Sequence, residues 1–517
     1  MSVAKILWVD DEIDSLQSQK LFLEHKGYEV QTFNSGFDAL DFLRDNFVDV
    51  VLLDESMPCI TGLETLAKIK EINQQIPVVM ITKNETESLM EDAIGSQITD
   101  YLLKPVNPNQ VLLCLKKIID NKRLVAEKTT TSYQQQFREL FMALNDNPDY
   151  NQWMDIYKRL VYWQLEMEKS NSPEMQEVLA SQKDEANTEF FKFVSKNYAK
   201  WVNPKSAEAP IMSHNLFQFK VFPHLEKGTP LFFVLIDNLR FDQWKAIQPI
   251  FAESFRILEE ETFYAILPTA TQYSRNAIFA GMLPIDIEKQ FHDEWKNDDE
   301  EGGKNLFEEE FFRAQLKHYK KDIKFSYTKI LNHNDGQQLV NNIHNLLNND
   351  LNIIVYNFVD MLSHARTEME VLKELANDEQ SYRSLTRSWF EHSPLHQALK
   401  KIAEKNIKVI LATDHGSIKV KTPCKVIGDK QTTANLRYKH GRNLNYDHKE
   451  VLAFRDPKEA GLPIPTVNSS FIFAKGDGYL CYPNNYNHFA NYYRNTFQHG
   501  GVSLEEMIIP VIKMVSK

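Results

Sequence analysis

Three acidic residues carry the clearest chemical signal in this chain of 517 residues. Asp237, Asp360 and Asp414 each come directly after a short run of apolar residues. Such runs are typical of buried parallel strands, and here they are Leu231–Ile236, Ile353–Val359 and Val409–Thr413. Ligands of a doubly wound sheet bind outside the carboxyl ends of its strands. We therefore expect the three carboxylates to cluster at one edge of a sheet.

Histidines accompany these carboxylates. His364 lies four residues after Asp360, a spacing that places both side chains on one face of a helix. His415 follows Asp414 directly, and His499 lies in the turn-like sequence QHGG. Mixed histidine and carboxylate ligands suit zinc or manganese better than magnesium. Two such ions could clamp a phosphoryl group and activate a nucleophile.

A hydroxyl that could serve as this nucleophile belongs to Thr271. Pro268 ends an apolar run, a helical pattern follows it, and Gly281 is expected to end the helix. Thr271 then lies at a strand-to-helix turn, where the amides of a helix N-terminus attract an anion. A threonine hydroxyl needs a base or a metal to lose its proton. The alternative is a threonine that only caps the helix.

A second acidic set lies in the first 120 residues, where strand and helix patterns alternate. Asp10, Asp11 and Asp54 follow or end strand-like runs and offer three carboxylates to a hard divalent cation, which we expect to be Mg²⁺. Thr82 and Lys104 also follow such runs and could hold the oxygens of a phosphoryl group. The alternative is a flavodoxin-like domain with acidic residues at its strand ends by chance.

The chain is expected to contain three domains, namely residues 1–120, 121–205 and 206–517. Residues 121–205 lack glycine, and their aromatic and aliphatic residues recur at helical spacing, which predicts a helical bundle. The aromatic stripe is interpreted as core packing rather than as a cofactor or DNA surface, since no helix-turn-helix signature is evident.

Composition narrows the class of protein. The net charge of −12 argues against a general nucleic-acid coat, although it permits a local basic channel. Four cysteines without paired spacing indicate reduced thiols. Neither a signal peptide nor an apolar run of about 20 residues is apparent, so we expect a cytoplasmic protein without a membrane partner.

Two charged segments follow within the last domain. An acid-rich run, His292–Glu310, is expected to be a solvated insertion. The basic segment Lys419–Arg442 contains Arg437, Lys439 and Arg442. It is either a mobile surface loop or an electrostatic groove that binds the phosphates of a polyanion, with Tyr438 available to stack on a base.

The first domain resembles response-regulator receivers in its motifs DDE, D-x-x-M-P-x-x-x-G, T and K-P. This resemblance implies a phosphoacceptor (Asp54), Mg²⁺ ligands (Asp10, Asp11 and Asp54), a switch pair (Thr82 and Lys104) and a rotating aromatic residue (Tyr101). Receivers of this kind usually dimerise through one face when phosphorylation biases a bistable surface.

The last domain resembles the alkaline phosphatase superfamily in the order of its ligand-type residues. The resemblance implies Thr271 as nucleophile, with one zinc site formed by Asp237, Asp414, His415 and Thr271, and another by Asp360, His364 and His499. The sequence Pro-Thr-x-Thr, which ends at Thr271, is most similar to the corresponding motif of the nucleotide pyrophosphatase/phosphodiesterase branch. Ser274 stands where that branch carries an asparagine that donates to a phosphoryl oxygen, so Asn276 and Arg275 are candidates to replace it.

The whole arrangement resembles PorX-type response regulators, whose output module is a PglZ domain. The implied fold is α/β, with a flavodoxin-like receiver, a helical-bundle linker and an alkaline-phosphatase-like doubly wound domain. The implied function is a phosphorylation-controlled, zinc-dependent phosphodiesterase acting on cyclic or linear oligonucleotides. Its implied partners are a sensor histidine kinase, a second copy of the chain and an alternative sigma factor, in the control of type IX secretion.

Two other functions remain open at this stage. One is a binding protein or transcriptional regulator, with a structural metal domain, that captures a sigma factor or DNA when phosphorylated. The other is a phosphomonoesterase or sulfatase, although the Cys-x-Pro-x-Arg motif of sulfatases is missing from the chain.

Overall fold

The computed structural model describes residues 4–74, 76–83, 98–170, 173–203, 208–298, 300, 302–357, 359, 378–429 and 433–517. The chain divides into two compact units. The first unit comprises Met1–Gln135, and the second joins Gln136–Lys169 to Pro173–Lys517. No helix among the described residues is both long enough and apolar enough to cross a membrane.

The first unit is built on a five-stranded parallel sheet. Its strands are β1 Lys5–Val9, β2 Glu29–Phe33, β3 Val50–Asp54, β4 Val78–Thr82 and β5 Asp100–Leu103, and its first helices are α1 Gln17–His25, α2 Gly36–Asp45 and α3 Gly62–Ile72. The strand order is β2-β1-β3-β4-β5. This is the flavodoxin-like order expected for the receiver, and it brings the ends of β1 and β3 together.

Alternating side chains of the central strands form two cores, one on each face of this sheet. Leu7 and Leu53 pack with apolar residues of α2 and α3. Ile6 and Leu52 pack with residues of α1 and of the helix α4, Pro108–Asn145. Because successive side chains of a strand point to opposite faces, both faces must be covered. The sheet is therefore doubly wound, as predicted.

Helices α4, α5 (Tyr150–Ser170) and α6 (Pro173–Trp201) contain the aromatic stripe noted in the sequence. Trp153 and Phe190 are buried, with ring centroids 5.3 Å apart. Phe190 also stacks on Tyr264, at 6.3 Å. The stripe is a packed core, so this interpretation is confirmed over a DNA or cofactor surface. The domain limits at residues 120 and 205 remain our interpretation.

The strands among the described residues of the second unit are β6 Leu231–Ile236, β7 Phe255–Tyr264, β8 Phe325–Ile330, β9 Leu351–Tyr356, β10 Lys408–Ala412, β11 Ile418–Lys419, β12 Thr422–Lys425, β13 Tyr438–Gly441, β14 Val451–Phe454, β15 Ser470–Ala474, β16 Gly478–Cys481, β17 Phe497–Gln498 and β18 Ile508–Ser516. Six of them form a larger sheet in the order β7-β18-β10-β6-β9-β8. Strands β10, β6, β9 and β8 are parallel, whereas β18 is antiparallel to β10 and β7.

Further helices of the second unit alternate with these strands along the described parts of the chain. They are α7 Phe241–Ser254, α8 Thr271–Ala280, α9 Pro284–Gln290, α10 Glu308–His318, α11 His333–Leu346, α12 Glu379–His392, α13 Pro394–Ala403, α14 Tyr486–Tyr493 and α15 Leu504–Met507. The parallel strands β6, β9 and β10 are buried almost throughout. Their continuous apolar sequences are explained by this burial on both faces.

Two of the three predicted strands agree closely with the observed ones. β6 has the predicted bounds, and β10 begins and ends one residue early. The third prediction was wrong at its end, since β9 stops at Tyr356 rather than Val359. The carbonyl of Tyr356 accepts from the amide of Asp237, and the pairing of β6 with β9 ends at this register. Asp360 lies outside the described residues.

The aromatic core generates a prediction about stability. Phe190→Ala should lower the free energy of unfolding of the second unit by about 3–5 kcal/mol, because a fully buried ring leaves a cavity. Urea unfolding of the full chain followed by tryptophan fluorescence measures this, since Trp8 is the only tryptophan outside the unit. Phe219→Ala is the matched control, because Phe219 is 50% exposed and should tolerate the change. Equal losses of unfolding free energy in Phe190→Ala and Phe219→Ala would contradict the assignment of Phe190 to the core.

Candidate receiver site and candidate metal centre

The first candidate site lies at the carboxyl ends of β1, β3 and β5. Asp10 and Asp54 are buried and Asp11 is exposed, and one oxygen from each lies within 4.8 Å of the others. The ammonium of Lys104 lies 2.9 Å from Oδ2 of Asp10 and 3.0 Å from Oδ1 of Asp54. The sheet thus brings together four of the five residues that the sequence predicted for this site, namely Asp10, Asp11, Asp54 and Lys104.

Electrostatics at this site leave an excess of negative charge. Burial raises the pKa of Asp54, the hydrogen bond from Lys104 opposes this rise, and the charges of Asp10 and Asp11 add to it. Burial alone would lower the pKa of Lys104, but its hydrogen bonds to Asp10 and Asp54 outweigh burial and raise it. One ammonium faces three carboxylates, so the donor set fits a hard divalent cation such as Mg²⁺.

Glycine at position 62 allows the close approach of α3 to the end of β3. A Cβ added to Gly62 would lie 2.3 Å from the carbonyl oxygen of Asp54, too close for any other residue. A capping box between Thr61 and Glu64 fixes the first turn of α3 at the same place. Backbone packing therefore holds the main chain of Asp54.

The switch residues occupy different environments. The hydroxyl of Thr82 donates to the carboxylate of Glu55, the residue after Asp54. Tyr101 is 43% exposed on β5. Sequence reasoning missed Glu55, although its position next to Asp54 at the end of β3 was a usable signal. In this structure Thr82 is engaged by Glu55, so it would have to exchange partners to reach a phosphoryl group on Asp54.

The second candidate site lies at the carboxyl ends of β6 and β10. Asp237, Asp414 and His415 are buried, and one ligand atom of each lies within 4.8 Å of the others. The loop after β6 turns sharply at Asn238, which has a φ of 61°. The backbone N–H of Asn238 donates to Oδ1 of Asp414 at 3.1 Å. Asparagine tolerates this left-handed conformation better than most residues. The turn holds the two carboxylate-bearing loops together.

Thr271 begins α8 and faces this cluster. Its Oγ1 lies 3.0 Å from Nε2 of His415 and donates to Oδ1 of Asp237 at 3.3 Å. Helix α8 ends at Gly281, which has a φ of 66°, as predicted. The hydroxyl therefore lies beside the ligand-type residues and at the positive end of a helix.

The orientation of His415 follows from its other ring nitrogen. Nδ1 lies 3.0 Å from the carbonyl oxygen of Gly416, so Nδ1–H must donate to it. The lone pair of Nε2 then points toward Thr271, Asp237 and Asp414, at 3.0, 3.7 and 3.9 Å. This is the tautomer that a metal ligand or a proton acceptor requires.

His499 completes the described part of the site. Its ring stacks on that of His415 with centroids 4.3 Å apart. Its Nδ1 lies 3.2 Å from the carbonyl oxygen of Thr269 and donates to it. The structure thus brings together five of the seven ligand-type residues predicted from the sequence. The other two, Asp360 and His364, lie outside the described residues.

The two buried carboxylates repel each other. Burial and the charge of Asp237 raise the pKa of Asp414 well above its ordinary value. Burial also acts to raise the pKa of Asp237, but opposing effects, of which the charge of Arg275 is the largest, outweigh burial and lower that pKa. Oδ2 of Asp414 accepts no hydrogen bond from any described residue. A cation at this point would satisfy that oxygen, so the donor set fits a metal ion, and its two aspartates and one histidine suit zinc.

Arg275 is the resident cation of this cluster. It is buried, and its Nη1 donates to Oδ2 of Asp237 at 2.7 Å and to Oδ1 of Asn357 at 3.1 Å. Its Nε donates to Glu308 at 2.6 Å. From the sequence, Arg275 was expected only to donate a hydrogen bond to a phosphoryl oxygen of a substrate. Its strongest contacts are with Asp237 and Glu308, neither of which could be paired with it from the sequence.

Two residues proposed to bind substrate are turned away from the site, which corrects our expectation. The hydroxyl of Ser274 donates to the carbonyls of Ile266 and Pro268, at 3.2 and 3.4 Å. The amide of Asn276 donates to the carbonyl of Lys304 at 3.1 Å. Both side chains lie on the buried side of α8, where they satisfy backbone carbonyls rather than a ligand.

Asn305 is the residue that sequence reasoning missed here. Its Nδ2 donates to the carbonyl of Thr271 at 3.1 Å and to Oδ1 of Asn276 at 2.9 Å. It lies in the acid-rich run, which is also held to α8 where the side chain of Gln272 donates to the carbonyl of Lys296. The described part of the run is thus tied to α8 at several points, rather than being a simple solvated insertion as expected.

The basic segment also differs from the predicted groove. Arg437 is fully buried and donates to both oxygens of Glu506, at 3.0 and 2.6 Å. Lys439 is buried and donates to the carbonyls of Thr433 and Asn435. Because both side chains are buried and already donate to protein acceptors, they cannot form an exposed surface that binds phosphates. The assignment of Arg437 and Lys439 to substrate binding was therefore wrong. Arg442 is exposed, as a groove residue would be.

Tyr438 likewise does not lie open for a base to stack on it. Its ring is buried, and its hydroxyl donates to Asp298 at 3.0 Å. The hydroxyl of Tyr273, two residues after Thr271, donates to the same carboxylate oxygen at 3.0 Å. The described part of the basic segment is therefore folded onto α8 rather than forming a mobile loop.

The fold and the two sites define a class of protein, a response regulator with an output domain of the alkaline phosphatase type. Residues 6–116 match the response regulator receiver domain family. Residues 123–202 match the PorX response regulator linker domain. Residues 216–514 match the BREX system PglZ alkaline phosphatase-like domain, over more than half of the chain. The chain belongs to the PglZ family and has the domain order of a PorX-type response regulator.

Curated relatives match the receiver end of the chain. The transcriptional regulatory protein ZraR of Klebsiella oxytoca is 34% identical over 132 residues, which cover 26% of this chain and 30% of ZraR. The phosphoglycerate transport system transcriptional regulatory protein PgtA of Salmonella typhimurium is 29% identical over 120 residues, covering 23% of this chain and 29% of PgtA. The chain thus spans less than a third of the length of these relatives.

Solved structures of receivers match the same region. A response regulator receiver domain protein from Clostridium thermocellum is 34% identical, and the match covers 24% of this chain and 98% of that one, with a TM-score of 0.23. The chemotaxis response regulator CheY4 of Vibrio cholerae is 30% identical, covering 23% and 99%, with a TM-score of 0.22.

The charge balance at Asp54 generates a prediction. Its folded pKa is raised, so the ionised carboxylate costs stability at neutral pH, and the cost vanishes as pH falls below the unfolded value of 3.8. Asp54→Asn should therefore slow hydrogen exchange of β1 and β3 at pH 7 in Mg²⁺-free buffer, and less so near pH 3. Added Mg²⁺ should slow exchange in the wild type only. Faster exchange in the variant at pH 7 without Mg²⁺ would contradict this.

A second prediction tests the fit of the metal centre. Asp414→Asn should leave the zinc-free protein at least as stable as the wild type, because an amide needs no cation. Zinc at a free concentration of ~100 times its Kd should then stabilise the wild type by about 2.7 kcal/mol. The same zinc concentration should stabilise the variant much less. Thermal melting with and without zinc, together with metal analysis, measures both effects. Asp322→Asn is the control, since Asp322 is fully exposed. Equal zinc stabilisation in all three proteins would refute the site.

Proposed function

We propose that this protein is a zinc-dependent phosphodiesterase that phosphorylation of Asp54 controls, and that it acts on cyclic or linear oligonucleotides. The placement of the Thr271 hydroxyl carries the proposal. It lies 3.0 Å from His415 and 3.3 Å from Asp237, at the N-terminus of α8. A threonine that only capped the helix would occupy the N-cap position and accept from an amide two or three residues later, whereas the N-cap residue of α8 is Ala270, and no side chain caps the helix.

The proposed zinc ligands divide into two sets. Asp237, Asp414 and His415, with Thr271 itself, would hold one ion. His499 would hold the other with Asp360 and His364, which lie outside the described residues. When bound, zinc supplies Lewis acidity that lowers the pKa of a coordinated hydroxyl and stabilises charge on a phosphoryl group.

The residues of the chain have separate roles in this proposal. The hydroxyl of Thr271 attacks phosphorus and passes its proton to Oδ1 of Asp237, which faces it at 3.3 Å, because the lone pair on Nε2 of His415 would hold zinc. The bond between phosphorus and one ester oxygen breaks, and that oxygen takes up a proton and leaves as an alcohol. Arg275 neutralises part of the carboxylate charge that would otherwise repel a phosphate. Water then attacks the phosphorus of the Thr271 ester intermediate, which releases a phosphomonoester and restores the hydroxyl. The amides of the first turn of α8 favour the anionic group throughout.

Control by the receiver rests on the site around Asp54. Phosphorylation would place new oxygens beside Lys104 and would draw Thr82 away from Glu55. We propose that this change promotes a homodimer and raises phosphodiesterase activity. The match of residues 123–202 to the PorX linker supports a role in type IX secretion, with a sensor histidine kinase and an alternative sigma factor as partners.

The nucleophile assignment predicts a large effect of one substitution. Thr271→Val keeps the branched shape and removes only the hydroxyl, so folding should change little. Loss of covalent catalysis should lower kcat for bis-p-nitrophenyl phosphate by at least ~10³-fold. Steady-state kinetics on protein with measured zinc content tests this. A folded, zinc-loaded variant with near wild-type kcat would eliminate Thr271 as the nucleophile.

The control for this experiment should be Thr262→Val. Thr262 is buried, whereas Thr271 is half-buried, and the hydroxyl of Thr262 makes no hydrogen bond to any described residue, so the same change should leave kcat unaltered. Thr269, two residues before Thr271, is unsuitable. Its hydroxyl accepts from the amide of Gly500 and donates to the carbonyl of Gly501, next to His499.

Phosphorylation control predicts a change in assembly. Beryllofluoride with Mg²⁺ mimics the phosphoryl group on Asp54 and should convert monomer to dimer in light scattering. Asp54→Ala should block the conversion, because it removes the group that beryllofluoride modifies. A mass that stays constant while Mg²⁺ binding is demonstrated would contradict the proposal.

A further inference from the structure

Two polar residues of the linker helix α6 contact the catalytic part of the second unit. Lys183 and Asn187 are four residues apart and so lie on one face of the helix. The ammonium of Lys183 lies 2.9 Å from Glu505, and Nδ2 of Asn187 donates to the same carboxylate at 3.1 Å. Oδ1 of Asn187 accepts from the amide of Leu504 at 2.8 Å. Together they fix the first residues of the short helix α15.

Helix α15 in turn supports the loop that carries His415. The carbonyl of Glu506 accepts from the amide of Gly416 at 3.2 Å. A Cβ added to Gly416 would lie 2.0 Å from the carbonyl oxygen of Glu505, so the two backbones are in direct contact. The carbonyl of Gly416 is also the acceptor that orients the ring of His415. A shift of α15 would therefore move the acceptor that sets the His415 tautomer.

The same helix supports the loop that carries His499. Oε1 of Glu506 accepts from the amide of Gly501 at 2.9 Å, two residues after His499. Buried Arg437 holds this carboxylate in place through two hydrogen bonds. Helix α15 therefore supports the loops that carry His415 and His499, and α6 holds α15 in place.

A second branch from Lys183 reaches the loop that follows Asp237. The ammonium of Lys183 also lies 3.2 Å from Glu379. Glu379 accepts from the guanidinium of Arg240 at 3.4 Å, and Arg240 is three residues after Asp237. Lys183 is largely buried between the two carboxylates. Removing its charge would leave Glu379 and Glu505 close together with less compensation.

We propose that Lys183 and Asn187 are positioning residues for the metal centre, so that the linker helix is a working part of the catalytic unit. This inference rests on the proposed function, because it assigns the supported loops to a zinc site. It also gives the linker a physical means of altering His415 and His499, through a chain of hydrogen bonds that is continuous in the structure. Supporting groups of this kind typically change metal affinity by about 10–100-fold.

Lys183→Met in the full-length protein tests the inference. We expect zinc affinity, measured by competition with a chelator, to fall at least ~10-fold. We also expect kcat to fall with little change in KM for a small aryl diester, and hydrogen exchange to quicken at residues 413–417 and 499–507. Lys183→Arg should restore all three, because it replaces the cation. Asn187→Ala should reproduce the loss without removing a charge, should Lys183→Met fold poorly.

Lys192→Met is the matched control on the same helix. Lys192 is 65% exposed and pairs only with Glu189 among the described residues, so zinc affinity should stay at the wild-type value. Unchanged affinity and exchange in Lys183→Met and Asn187→Ala would overturn the positioning role. Failure of the wild type to bind zinc would instead refute the proposed function, and the exchange measurement would still decide whether α6 supports these loops.

Discussion

The arrangement of the second unit depends on two carboxylates, Asp237 and Asp414, that are buried beside each other at the end of a parallel sheet. Buried like charges are costly unless cations or protons compensate them. The structure supplies part of this compensation through Arg275, whose guanidinium lies 2.7 Å from Asp237 and 3.8 Å from Asp414. Oδ2 of Asp414 remains without a hydrogen-bond donor among the described residues. The site is therefore organised to receive a further positive charge, and the Thr271 hydroxyl faces that position.

The first unit solves the same electrostatic problem with different residues. Asp10 and Asp54 are buried at the ends of neighbouring parallel strands, and Lys104 provides the resident cation. In both units the negative charge exceeds what the resident cation neutralises. The difference lies in the neighbouring groups. The receiver offers only carboxylate oxygens, which suit Mg²⁺, whereas the second site adds a histidine nitrogen, which suits zinc.

Polar residues around the metal centre form a continuous support. Arg437 and Glu506 could not be paired from the sequence, yet their buried ion pair holds the loop of His499. Lys183 and Asn187 extend this support into the linker helix. Such buried pairs contribute less to net stability than to a defined geometry, since desolvation offsets much of their attraction. This explains why charged residues of the linker and of the basic segment lie inside the protein instead of at its surface.

The sequence by itself determined the order of elements and the positions of Asp10, Asp54, Asp237, Asp414 and His415, because apolar runs that end in polar residues have a local signature. It also identified the start and end of α8 through Thr271 and Gly281. Only the tertiary structure decided which charges meet. In the sequence, Arg437 and Lys439 look like part of an exposed basic stretch. In the structure both are buried, because Arg437 donates to Glu506 and Lys439 donates to the carbonyls of Thr433 and Asn435. Asn305 reaches Thr271 from 34 residues away. Such pairings depend on contacts between distant segments, and no local pattern of charge or hydrophobicity encodes them.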